Sequence, residues 1–136
     1  MRFPSREWFE AAAAALAQDA SVTALIADLG PVVAGLVVSG LSPEFCVLAR
    51  IAPGKKTELR FPEDEDELEE LEPDYVFRAP VELCKSLLRA ERADLLQMVL
   101  AGRIQLSGDL QRLVRLGGKH QGAGAGTLRA LPTEFV

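Results

Sequence analysis

VVAGLVVS at residues 32 to 39, FCVLARI at 45 to 51 and TELRF at 57 to 61 follow one another with only turn-forming residues between them. The first stretch is apolar and β-branched on both faces, as a central strand must be. In the third, Thr57, Leu59 and Phe61 alternate with Lys56, Glu58 and Arg60, which marks a strand with one wet face. Ser42-Pro43 and Ala52-Pro53-Gly54-Lys55 are short connections, and short connections favour antiparallel pairing because parallel neighbours need a long crossover. Tyr75-Val76-Phe77-Arg78 and the pair Ile104, Leu106 supply two further strand candidates.

Helical signals flank this run on both sides. Ser5 stands where an N-cap side chain accepts an early helical N–H, and Glu7 sits in the dipole-favoured first turn. Trp8, Phe9, Ala12, Ala15 and Leu16 fall on one side of that helix. Asp19 or Ser21 restarts a helix with the stripe Val22, Leu25, Ile26 and Leu29, and Gly30-Pro31 ends it. From Pro80 to Arg89, Val81, Leu83, Cys84, Leu87 and Leu88 share a side. From Glu91 to Ala101, Leu95, Leu96, Val99 and Leu100 form the apolar arc, with Met98 outside it. Asp109 caps a helix whose stripe is Leu110, Leu113, Val114 and Leu116. Five strands with helices at both ends of the chain define an α+β fold: a mostly antiparallel five-stranded sheet covered on one face by helices. Five glycines between 117 and 126 read as a loose linker before Leu128, Leu131 and Phe135, and so as a mobile closure over the 1–116 unit.

The chain of 136 residues, 49% hydrophobic and 26% charged, suits one globular domain that needs no metal or disulfide staple. Its two cysteines make no disulfide framework, and no apolar run reaches the length of a membrane span. The Ala-rich stretch near the N-terminus follows Glu7 and Glu10 and lacks the basic segment of a signal peptide, so the expected location is cytoplasmic. The net charge of −5 is concentrated: EDEDELEELE at 63–72 holds eight of the twenty acids and no base. The remainder is mildly basic, too sparsely for a nucleic-acid footprint, and lacks interleaved aromatics. The acidic run reads as a solvated face or a short amphipathic helix built on Leu68 and Leu71, with docking of a protein partner as the alternative.

Asp74-Tyr75-Val76-Phe77-Arg78, two apolar helices, and Leu100-Ala101-Gly102-Arg103-Ile104-Gln105-Leu106-Ser107-Gly108-Asp109 leading into Leu110, Leu113 and Leu116 form a joint pattern. That pattern resembles the sterol carrier protein type-2 family in its single-domain bacterial form. The resemblance implies an apolar tunnel between sheet and helices, non-covalent binding of sterols, fatty acids, acyl-CoA or other lipids, no catalysis and no cofactor. Membrane-surface contact would be transient. The lining residues expected on this basis are Phe77, Leu87, Leu88, Leu96, Val99, Leu100, Ile104, Leu106, Leu113 and Leu116. The acidic run and the Gly-rich tail lie outside the shared pattern. An accessory role in a lipid or quinone pathway, docked through residues 63–72, is the alternative function.

Catalytic and metal chemistry finds little footing. His120, the only histidine, lies in GGKHQGAGAG, where a Gly-rich tail would hold a base poorly. Cys84 sits on an apolar helical stripe, where a free cysteine behaves as a small hydrophobe. A thioester-cleaving enzyme using Cys46 or Cys84 is the third reading. One histidine and two unpaired cysteines do not make a zinc site, the acidic run lacks the ligand spacing of a calcium loop, and the glycines complete no phosphate-binding fingerprint.

Overall fold

The computed structural model describes residues 1–89 and 95–135. Its centre is a five-stranded sheet in the order β4-β3-β2-β5-β6, formed by β2 (Val32–Ser39), β3 (Phe45–Ile51), β4 (Glu58–Arg60), β5 (Tyr75–Pro80) and β6 (Gln105–Ser107). β2–β3, β3–β4 and β5–β6 are antiparallel, and β2–β5 is parallel. The parallel pair exists because the chain spends residues 40–74 on β3, β4 and the acidic helix before returning beside β2.

Register divides the sheet into two faces. Val38 faces Phe45 and Ala79 across its neighbours, and Leu36 faces Val47 and Phe77, so these side chains share one face with Leu106, the partner of Phe77. Gly35, Val37, Cys46, Leu48, Val76 and Arg78 belong to the other. On the first face lie α1 (Arg6–Leu16), α4 (Val81–Arg89) and α7 (Ala125–Ala130), with α5 (Leu95–Leu100) toward β6. α2 (Ala20–Leu29) touches α6 (Leu110–Lys119), which touches α5. The caps read from the sequence are made: Ser5 accepts the Trp8 N–H, Asp19 those of Ser21 and Val22, and Asp109 that of Arg112. Gly30 ends α2 at φ 74°, a left-handed value that costs glycine nothing. The start of the Glu91–Ala101 helix lies outside the described residues.

The acidic run is neither free nor only solvated. Asp64 caps α3 (Glu65–Glu70), whose Leu68 is 0% exposed against Val37 and Cys46 on the second face. Gly35 makes room: a Cβ there would come within 2.8 Å of Leu68. Arg78, on the same face, holds α3 by an ion pair to Glu65 at 2.9 Å and engages Glu44 as well. The acids of this short helix and its cap thus surround one buried leucine, which fixes the segment onto the sheet.

The tail also departs from its composition. Gly117 and Gly118 lie inside α6, α7 follows, and β7 (Glu134–Phe135) pairs in parallel with β1 (Arg2–Phe3). Leu128, Leu131 and Phe135 pack on the cluster of Phe3, Trp8, Ala12, Val38 and Val81. The Trp8 indole N–H donates to Thr133 Oγ1 at 2.9 Å, and the Thr127 hydroxyl donates to Asp19 Oδ2 at 2.6 Å. The apolar tip completes a core, so residues 117–135 are a structural layer and not a mobile closure. The glycines mislead because only Gly122 and Gly124 use positive φ here, and Gly124 is required for contact: a Cβ would come within 2.9 Å of both Leu16 and Val22.

Candidate functional site

The motif residues between Asp74 and Asp109 lock strands together. Asp74 accepts the Val33 N–H at 2.8 Å, and its own N–H donates to the Val33 carbonyl at 2.7 Å. Gly108 lies under the Tyr75 ring at φ 135°, where a Cβ would stand 2.5 Å from the ring and 2.7 Å from the Asp74 carbonyl. The Tyr75 hydroxyl donates to the Asp109 carbonyl at 3.3 Å. Together they fasten β5, β6 and the start of α6 to the sheet, which fixes the edge beside which a cleft opens.

That cleft holds about 330 Å³, is open to solvent, and is lined by Val99, Gly102, Ile104, Gln105, Leu106 and Leu110. Its floor is the edge strand β6, and its walls are the end of α5 and the beginning of α6. The volume is at the lower end of small-molecule sites. Behind it, Ile104 is buried with Ala79 and Leu83, and Phe77, Leu87, Met98 and Val99 pack around them half-buried. Tyr75 and Phe77 stack at 6.4 Å along this side of the sheet.

The ten residues expected as lining therefore separate. Val99, Ile104 and Leu106 border the cleft. Phe77 and Leu87 join Ile104 and Val99 in the cluster behind it. Leu113 and Leu116 are half-buried on α6. Leu88 packs instead with the Phe3–Trp8 cluster at the other end. Leu100 is 57% exposed on the surface beyond the cleft. The side chain of Leu96 lies outside those described. Leu110 and Gln105 were missed: Leu110 was on the α6 stripe in the sequence, but its place at the rim follows from Asp109 turning the chain at the end of β6. Gln105 also borders the cleft, but it pairs with Arg78 and so turns its side chain to the second face of the sheet, away from Leu106.

A second, wider groove of about 570 Å³ is lined by Pro31, Val32, Val33, Arg50, Ile51, Ala52, Lys55, Lys56, Glu58 and Asp74. Its mixed charges suit solvent better than an apolar guest, and none of the expected lining residues reaches it.

Nucleophilic chemistry is disfavoured at both thiols. Burial pushes Cys84 up to about 11, and burial, then Glu44, raises Cys46; a reactive cysteine needs the opposite shift. His120 caps α6, and its Nε2 lies 2.5 Å from Asp28 Oδ2, with Lys119 on the same oxygen at 3.0 Å. The histidine is therefore held against α2, not carried on a loose tail. Among the described residues, no three His, Cys, Asp or Glu side chains gather to hold a metal ion. Among them too, no single helix is long and apolar enough to cross a membrane.

This architecture, a five-stranded α+β sheet with helices over a cleft at its edge, is the sterol carrier protein 2 fold. A crystal structure of sterol carrier protein 2 superposes with a TM-score of 0.73 at 14% identity, covering 93% of this chain and 97% of that one. The solution structure of a conserved hypothetical protein from Thermus thermophilus, described as possibly a sterol carrier protein, gives 0.72 at 15%, covering 96% and 90%. The ubiquinone synthesis protein UbiJ-SCP2 gives 0.54 at 14%, covering 88% and 85%. No protein-family model and no curated protein matches the chain.

Proposed function

We propose that the protein is a cytoplasmic, non-enzymatic lipid carrier, a single domain including residues 117–136. It would hold one fatty acid, acyl-CoA, sterol-like or other apolar molecule between α5, α6 and β6. The observation that carries this reading is the open cleft at the edge strand, bordered by the apolar side chains Val99, Ile104, Leu106 and Leu110 and backed by the half-buried Phe77, Leu87 and Met98. The likeness to sterol carrier protein 2 supports it. Shape and desolvation would do the binding: each methylene withdrawn from water gains about 0.8 kcal/mol gross before ordering costs. Chain length should then matter more than head group.

Native mass spectrometry of freshly purified protein tests this directly, and substoichiometric bound lipid is the expected result. Leu106→Asp, which puts a carboxylate on the cleft floor, should abolish binding of a fluorescent fatty acid because an unpaired charge in an apolar site is costly. A folded variant that binds as tightly as the native protein would remove β6 from the site.

A second reading rests on the outward acids of the 63–72 segment: Glu63, Asp64, Asp66, Glu67, Glu69 and Glu70 are exposed or nearly so while Leu68 anchors the helix. A rigidly mounted acidic face suits docking to a basic partner protein, in an accessory role to a lipid or quinone pathway. Replacing those six acids with their amides while keeping Leu68 should abolish such an association without unfolding the domain; unchanged association would end this reading.

A further inference from the structure

We propose that the groove on the second face of the sheet receives the acidic helix α3 of a second copy of this chain. Register places groove and helix side by side on that face. α3 stands over Val37 and Cys46, held there by Leu68. The groove, of about 570 Å³, opens at the start of β2 and the end of β3, where Val33 pairs with Arg50. Val33 and Val37 stand about 13 Å apart along β2. Neither surface is neutralised within one copy.

Residues 45–60 carry four bases and one acid, and residues 63–72 eight acids and no base. Arg50, Lys55 and Lys56 line the groove, and Arg60, two residues after Glu58, shares its face. All four are exposed, and among the described residues none is in an ion pair. Two acids border the groove as well: Glu58, in register with Arg50, and Asp74, which accepts the Val33 N–H. The cations outnumber them. On α3, Asp66, Glu69 and Glu70 are exposed and, among the described residues, meet no cation; Glu65 alone does, through Arg78. The chain thus carries the basic surface that its acidic face requires. A two-fold axis between two such faces sets each α3 opposite the groove of the other copy, so that one contact is made twice. The half-buried Val33 and Val76, on the same face, add apolar area to it. Opposed charged patches fix partner and register more than raw affinity, and exposed ion pairs are individually weak. The resulting dimer is weak and salt-sensitive.

The inference rests on the docking reading of the 63–72 segment and names its partner. Sedimentation velocity of the full chain should show a monomer–dimer equilibrium at low ionic strength, weakened at least about tenfold in high salt. Lys55→Glu with Lys56→Glu, or Glu69→Lys with Glu70→Lys, should each weaken it at least about tenfold, since attraction becomes repulsion. Mixed in equal amounts, these two variants should dimerise as the native chain does, because every reversed charge then meets its opposite. Both should keep the native melting temperature, as all four side chains are exposed and Leu68 is untouched. A native chain that stays monomeric at low salt would overturn the self-docking and leave the docking of α3 to another basic protein standing. A dimer that high salt and both pairs of substitutions leave intact would overturn it too, because the interface would then lie elsewhere. So would a mixture of the two folded variants that remains monomeric.

Discussion

The two ends of the molecule are built from different apolar material. Where the chain termini meet, Phe3, Trp8, Phe9, Phe45, Phe61 and Phe135 form one network of ring contacts between 4.8 and 6.4 Å. Arg6 and Arg89 cover it over Phe61 and Phe135. At the other end α5, β6 and α6 offer aliphatic side chains beside the single stacked pair Tyr75 and Phe77, and Ile104, just ahead of β6, is buried there. Aromatic rings fill space with large, geometrically constrained surfaces, whereas half-buried leucines leave apolar area that a guest can cover. One end thus holds the sheet in shape, while the other leaves apolar side chains partly open to solvent. Low local stability is where binding elements are drawn from.

The hardest blow to this division would come from Trp8. It is 3% exposed, touches Phe3 and Phe9, and bonds Thr133 across the joined termini. We expect Trp8→Ala to cost about 3–5 kcal/mol in denaturant unfolding. By contrast Leu113→Ala, on the half-buried face of α6, should cost under about 1.5 kcal/mol, since so little of it is withdrawn from water. Equal losses at the two positions would mean that the ends are equally packed.

Next in size is Leu68→Ala. The sequence offered this leucine, with Leu71, as the apolar side of a short acidic helix, and it is fully enclosed against Val37 and Cys46. Removing a buried leucine side chain costs about 2–5 kcal/mol. An unfolding free energy unchanged by the substitution would place α3 off the sheet in solution.

Much of the fold could be read directly because its signals are local. The β-branched run 32–39, the caps Ser5, Asp19 and Asp109, and the stop at Gly30 each act within a few residues, and the structure uses all of them. Whatever depends on distant partners was hidden. Leu68 needs the gap above Gly35, β1 needs β7 from the far end of the chain, and the glycines after 117 look loose until Asp28 and the Phe3–Trp8 cluster are seen to receive that segment. The cleft suffers most from this. The three expected residues that border it, Val99, Ile104 and Leu106, lie on or beside β6 and α5, while Leu100 and Leu88 obey the same periodicity and point elsewhere.

A smaller effect should separate the ends by dynamics. Amides of β2 and β3, at the centre of the sheet, should exchange with solvent only on global unfolding. Those of α6, which buries no side chain, should exchange at least about a hundredfold faster through local opening. Added fatty acid should slow α6 more than it slows β2. Uniform protection across both would erase the distinction between a held end and an open one.

The smallest effect is electrostatic, and it concerns what keeps α6 in place at all. Without a buried side chain, this helix is pinned to α2 by polar groups: Arg112 on the Leu29 carbonyl, and Lys119 and His120 on Asp28. The hydrogen bond from His120, then that from Lys119, holds the Asp28 carboxyl below its ordinary 3.8. A carboxylate whose pKa is depressed on folding contributes stability that is fully present above its unfolded pKa and is lost as the pH falls through the folded one. The contribution is therefore complete at neutral pH and disappears in acid below about 4. Asp28→Asn should lower the melting temperature slightly at neutral pH, and the two melting curves should converge as the pH is taken below that value. Because the pair is exposed, salt should shrink the difference. The same substitution should speed amide exchange at the C-terminal turn of α6 while leaving α1 and α7 untouched. A neutral-pH difference that persists undiminished in acid would show that Asp28 supports α6 by packing and not by charge.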